Sequence, residues 1–217
     1  MTRRIFLLSP ASCSGIRARQ ITSDAAEFTL ARELRGAAGA PLGDVFSFCS
    51  ALYFRGKLAY ARRFARPPDA SDPSVGDGVL VITPNAGLMA ADAHVTREGF
   101  RAFATEPIDV ANDAYRGPLD LSARVALARI GQDCEVVLLG SIASGKYVDV
   151  LLPIFGDRLV FPTAFVGRGD MSRGGLLLRS VERGEELEYA PVAVAARRGQ
   201  RPPRLERIVA RRPRTAP

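Results

Sequence analysis

Lysine is almost missing from this chain. Of its 30 basic residues only Lys57 and Lys146 are lysines, so each stands out against a background of arginine. Histidine occurs once, as His94, which excludes a histidine-rich metal site and makes any Ser-His-Asp triad depend on that one residue. The three cysteines, Cys13, Cys49 and Cys134, are too few and too widely spaced for a disulfide framework or a zinc site, and a reducing, cytoplasmic setting is expected. No apolar run approaches the roughly 20 residues needed to cross a bilayer. Arg3 and Arg4 precede an apolar run at residues 5–8 that is too short for a signal-peptide core and reads as a first strand. No internal repeat is visible. No membrane association, metal or cofactor is expected.

The 217 residues are enough for one domain with a real core, and almost half of them are hydrophobic. The net charge of +7 is unevenly placed. Residues 196–217 carry eight arginines and one acid, whereas residues 1–195 carry 22 basic and 22 acidic side chains. The high pI is therefore a property of the tail, and the body is neutral. A basic tail with prolines at 202, 203 and 213 reads as extended. Two readings follow. One is a solubilising end. The other is an arm that contacts nucleic acid through Arg197, Arg198, Arg211 and Arg212, with affinity that falls with salt.

Short β-like runs alternate with longer helical ones. Strands are expected at 4–8, 79–83, 135–139, 159–161 and 187–194. A helix capped by Ser23 or Asp24 is expected to reach Arg35 with Phe28, Ala31 and Leu34 on one face. A second, capped by Asp44, is expected to run to Arg66 with Leu52, Tyr53 and Leu58 partly inward. Gly56 interrupts it, at roughly 1 kcal/mol relative to alanine. Further helices are expected at 96–104, 118–130, 146–155 and 171–182. This order predicts an α/β domain over residues 1–195: a central, mainly parallel, Rossmann-like sheet with helices on both faces, followed by the tail. Ligands of such folds sit at the carboxyl ends of the strands. Four small-residue loops are expected to gather there: 9–15, 84–87, 140–145 and 167–175.

The third loop carries the most chemistry. Gly140, four residues, Gly145 and Lys146 match the phosphate-loop spacing up to its last position, and they follow an apolar strand. The amides of such a loop, a helix N-terminus and a lysine form an anion site. Tyr147 stands where a phosphate loop has the Ser or Thr that holds magnesium, and no downstream strand ends in Asp. The pattern therefore points to anion binding more than to an ATPase. Gly140, Ser141, Ser144, Gly145 and Lys146 are expected to hold the anion. Arg168 and Arg173 are expected to close over it, and Ser9 and Asn85 to orient the rest of the ligand. Asp170 is either a general base or the cap of the following helix. His94 is either a general base or a solvated loop residue. Cys13 reads as a quiet thiol. Arg55 and Lys57 either reach the same edge or line a solvent face.

Two segments are similar to one known family. The run LYFRGKLAYA at residues 52–61 resembles the segment after the first helix in small α/β proteins of the peroxide-stress YaaA family. That family is diffuse and includes domains similar to ones beside tRNA-guanine transglycosylase relatives. The run VLVITPNAGL at 79–88, with Asp92, resembles the strand and loop that follow. Ala86 replaces the usual aromatic, and the Pro-Tyr turn after the acid is absent. The resemblance spans roughly residues 4–140. It implies an α/β fold, a link to nucleic-acid or nucleobase metabolism, and DNA association, and it carries over no catalytic residues. The combined expectation is a binder of a phosphorylated ligand, either a nucleotide or a nucleic-acid fragment, with turnover left open. The alternative is a non-catalytic nucleic-acid-binding or stress-associated protein that uses its tail.

Overall fold

The computed structural model describes residues 2–50, 52–197, 199–203 and 205. Strand β1 (Arg3–Leu8) leads through helices α1 (Ile16–Ile21) and α2 (Thr29–Arg35) to a short strand β2 (Ala40–Pro41). Helices α3 (Leu42–Ser50) and α4 (Leu52–Phe64) follow, then strands β3 (Val79–Ile82), β4 (Leu88–Ala90) and β5 (His94–Val95). Helices α5 (Arg97–Thr105) and α6 (Asp113–Ile130) lead to β6 (Cys134–Leu139) and α7 (Gly145–Phe155). The order closes with β7 (Leu159–Pro162), α8 (Asp170–Arg183) and β8 (Tyr189–Pro191).

Six strands form one sheet in the order β4-β3-β1-β6-β7-β8. The inner four run parallel, and the edge strands β4 and β8 run antiparallel to their neighbours. Beyond its first residue β1 is buried throughout, as are β3 and β7, which is how strands covered on both faces read. The chain leaves β1 toward β3, then crosses back past β1 to β6. Right-handed crossovers in opposite directions place their helices on opposite faces. Accordingly α4 packs on α8, and α6 packs on α7. Strands β1 and β6 thus flank the point where the strand order reverses.

Several expected elements differ in extent. The helix expected over 23–35 is only α2, which starts at Thr29, and Ser23 serves the turn between α1 and α2: its hydroxyl accepts from the Ala25 N–H at 3.3 Å. Arg35 fastens that turn by donating to the carbonyls of Ser23 and Ala26. The long helix expected over 44–66 is α3 and α4, and Asp44 lies inside the first turn of α3. The helix expected from Pro118 starts at Asp113, because the Asn112 side chain accepts from the Ala114 N–H and caps it. The loop at 84–87 is a hairpin turn into β4, closed by Thr83, which donates from both its N–H and its hydroxyl to the Gly87 carbonyl. The last strand is short, with Pro191 at its end on a sheet edge, where a missing N–H costs least.

Gly56 breaks no helix. A Cβ there would lie 2.8 Å from the Gly174 carbonyl oxygen, and a Cβ on Gly174 would lie 2.8 Å from the Leu52 carbonyl oxygen. The two glycines let the backbones of α4 and α8 touch. That crossing carries Tyr53 and Lys57 of α4 against the start of α8, beneath the carboxyl edge of the sheet.

Candidate functional site

The loops after β1 and β6 border a cavity of about 280 Å³. Its walls are Ser9 to Ser12 from the first loop, Ser141, Lys146 and Tyr147 from the second loop and α7, and Asp170 at the start of α8. The end of α3 adds Cys49 and Ser50, and α4 adds Tyr53. This is the crevice at the strand-order reversal, where open α/β sheets take their ligands.

Gly140 makes room for Ser9: a Cβ at 140 would lie 3.1 Å from the Ser9 Cβ and 3.4 Å from its Oγ. The first turn of α7 is tied to α6 by the Tyr115 hydroxyl, which donates to the Lys146 carbonyl at 2.7 Å. Ser144 occupies the N-cap position of α7, but its side chain makes no capping bond to the first N–H groups of that helix. The ammonium of Lys146 lies 5.0 Å from the centroid of the Tyr147 ring and makes no ion pair among the described residues. One feature opposes an anion here. The Asp149 carboxylate folds back over Gly145, so close that a Cβ at 145 would overlap it.

Lys57 lies behind Ser9 and is buried completely. Its Nζ donates to the Ser9 carbonyl and lies 2.8 Å from the Ser9 Oγ. The rings of Tyr53 and Phe54 enclose it, with centroids at 4.5 and 4.9 Å. No carboxylate bonds to it among the described residues. A buried ammonium without a carboxylate sheds its proton readily. Burial pushes the Lys57 pKa down to about 7; Asp170 acts against that, while Arg173 and Lys146 add to it. Two hydroxyls share this environment. Tyr53 Oη is buried without a hydrogen bond, and burial raises its pKa to about 12, with Arg173 pulling the other way. Burial also pushes the Tyr147 hydroxyl up, and neighbouring Ser9 lowers it.

The structure brings Ser9, Ser141, Lys146 and Asp170 to one cavity. Gly140 and Ser144 belong to the loop that borders it, and Gly145 is the first residue of α7. Arg173 lies behind the wall, donating to the Phe165 carbonyl at 3.2 and 3.3 Å and facing Asp170 at 3.7 Å. Arg168 lies elsewhere. It donates to the Ala164 carbonyl and the Ser172 hydroxyl and lines a separate depression with Arg201. Asn85 sits in the β3–β4 hairpin and donates to the Ala102 carbonyl. His94 is exposed on β5, with Nδ1 3.0 Å from the Ala38 carbonyl oxygen, on the small β2–β5 sheet. Asp170 is the first residue of α8 and Gly169 its N-cap, so the acid is placed against the helix dipole without being the cap. Arg197 is exposed. Arg198, Arg211 and Arg212 lie outside the described residues.

Burial raises the thiol of Cys13 to about 12, as it does that of Cys49, which disfavours the reactive thiolate at both. Among the described residues no group of three or more His, Cys, Asp or Glu side chains is arranged to hold a metal, and no helix is long and apolar enough to cross a membrane. The sequence left Lys57 as one of two alternatives and gave Tyr53 only as partly inward. Their spacing of four on the inward face of α4 was the available signal.

No protein-family model matches this chain, and no curated protein or solved structure is detectably similar to it.

Proposed function

We propose that the crevice between β1 and β6 binds a small phosphorylated ligand, a nucleotide or a fragment of nucleic acid. The observation that carries this reading is the pairing of an unneutralised lysine, Lys146, with the uncapped first turn of α7 at the strand-order reversal. Hydroxyls at Ser9, Ser12, Ser50 and Ser141 would orient the ligand, and Tyr53 supplies a buried hydroxyl in need of a partner. The cavity is small for its class, so it suits a phosphate with a compact appended group, and anything larger extends outward. The fold and the resemblance at residues 52–61 and 79–88 are compatible with a nucleotide or nucleobase substrate.

The concentration of positive charge in residues 196–217 favours a second reading, in which this segment contacts nucleic acid. One thermal-shift screen separates the two. Nucleotides, phosphosugars and a short DNA duplex are tested on the wild type and on Lys146→Ala. Stabilisation by a small phosphate compound that disappears in Lys146→Ala supports the cavity. A ligand at about 100 times its dissociation constant adds about 2.7 kcal/mol, a readily measured shift. DNA binding that ignores Lys146→Ala and is lost on truncation after Ala195, with no small-molecule shift, favours the tail instead.

A further inference from the structure

We propose that Ser9 and Lys57 form a nucleophile–base pair that transfers an acyl group from an ester of a small anionic molecule. This rests on the reading of the cavity as an anion site and adds a reaction to it. Ser9 lines the cavity and is the only lining residue whose hydroxyl meets a buried amine among the described residues. The amine is held on one side by the Ser9 carbonyl and walled by the Tyr53 and Phe54 rings, so its remaining polar direction is the Ser9 Oγ. A neutral Lys57 donates to that carbonyl and offers its lone pair to the Ser9 hydroxyl proton. Arginine could not do this, since a guanidinium is not deprotonated in proteins. That gives a physical reason for a lysine here in a chain that otherwise uses arginine. Groups facing Lys57 are Asp170 and Arg173 on α8 and Lys146 on α7; the two cations act to keep it neutral.

The step balances without a further reactant. The Ser9 Oγ attacks the ester carbonyl carbon while its proton passes to the Lys57 Nζ. The carbon–oxygen bond to the leaving alcohol breaks, and that oxygen takes the proton from Nζ. Water then attacks the acyl-serine and gives a proton to Nζ. The acyl–Oγ bond breaks, Oγ recovers the proton, and a carboxylic acid departs. Lys146, in the first turn of α7, lines the same cavity and would supply the positive charge for a developing oxyanion, set off from the helix start where Asp149 folds over Gly145.

The test is covalent labelling of the full chain with an alkyl fluorophosphonate, read by intact mass and peptide mapping. One adduct on Ser9 is expected. Its rate should rise about tenfold from about pH 6 to about pH 8 as Lys57 loses its proton. Lys57→Met and Lys57→Arg should slow it by at least about 100-fold, with melting followed in parallel. The pH profile needs no variant and stands if either one misfolds. No adduct on Ser9, or an adduct whose rate ignores both pH and Lys57→Met, overturns the proposal. Ser9 labelling without any phosphate-dependent thermal shift would leave the dyad standing and remove the phosphate reading; the reverse pattern would do the opposite.

Discussion

The two ends of the central sheet treat buried polar groups in opposite ways. At the amino end, Arg4 of β1 lies opposite Glu135 of β6 in the strand register and donates to it from Nε at 3.0 Å. Arg4 also pairs with Glu186, which pairs with Arg66 at 2.9 Å, and its guanidinium lies 4.7 Å from the centroid of the Tyr189 ring. The Tyr60 hydroxyl meets the Tyr189 hydroxyl at 2.6 Å and accepts the Leu187 N–H at 2.7 Å. Nearly every donor there has an acceptor. At the carboxyl end Lys57 is buried without a carboxylate, and the Tyr53 hydroxyl is buried without a partner. One helix, α4, spans the difference, contributing Tyr60 to the paired end and Lys57 to the unpaired one. Burying an unsatisfied group costs stability. Burial shifts groups at both ends, raising Tyr60 and Tyr189 at the paired one, but only at the carboxyl end does a buried amine without a carboxylate lie beside the cavity.

The largest effect expected is from a change that removes the support both ends share. Gly174→Leu would drive a side chain into the Leu52 carbonyl and the Tyr53 Cα, which lie 2.8 and 2.9 Å from the ideal Cβ position. These are backbone atoms and cannot swing aside. A loss of more than about 4 kcal/mol is expected, enough to unfold a domain of ordinary stability. Urea titration followed by circular dichroism checks it. A mild effect would mean that α8 can slide, and that the contact of α4 with α8 does not fix the position of Lys57.

Next comes the paired end alone. Arg4→Met leaves Glu135 and Glu186 without their shared partner at a half-buried site. The expected loss is about 2 kcal/mol, since Glu135 is stranded while Glu186 keeps Arg66. Partial exposure of Glu135 softens it. Ligand binding and Ser9 labelling should change little in protein that remains folded. If the carboxyl edge responds as strongly as the amino edge, the division of labour between the two ends fails.

The division was only half legible in the sequence. Strands β3 and β7, and β1 and β6 past their first two residues, are continuous apolar runs, and they were visible because burial on both faces leaves no alternation to confuse. The order strand, glycine loop, Lys146 and helix was equally plain, because it is local. What pairs with Arg4 was invisible, since Glu135 and Glu186 lie 131 and 182 residues away. Gly56 read as a defect because its partner, Gly174, is on another helix. Asn85 and Arg168 were expected at the cavity on loop membership alone. The hairpin into β4 carries Asn85 toward α5, and Arg168 turns back to the Ala164 carbonyl. Lys57 was ambiguous for the same reason. Its neighbours in the sequence do not reveal that α8 covers it or that Ser9 receives it.

The smallest effect sharpens the contrast most. Lys57→Met replaces a buried amine by an apolar chain of similar length, and such replacements are often neutral or stabilising. At neutral pH the variant should lie within about 2 kcal/mol of wild type, because two bonds to Ser9 are lost while the penalty of burying the amine is relieved. The sign of the pH dependence is fixed by the direction of the shift. The folded chain releases the Lys57 proton at about pH 7, whereas the unfolded chain holds it to the ordinary lysine value of 10.5. Between those values unfolding takes up a proton, so wild type gains stability as pH rises, and below that window it carries the full penalty. The gain should approach about 1 kcal/mol per pH unit and be absent in Lys57→Met. Urea midpoints of both proteins at several pH values between neutrality and the lysine value give the difference directly. Parallel curves would mean that Lys57 stays protonated in the folded state, and the unpaired end would then hold a charge that no neighbour neutralises.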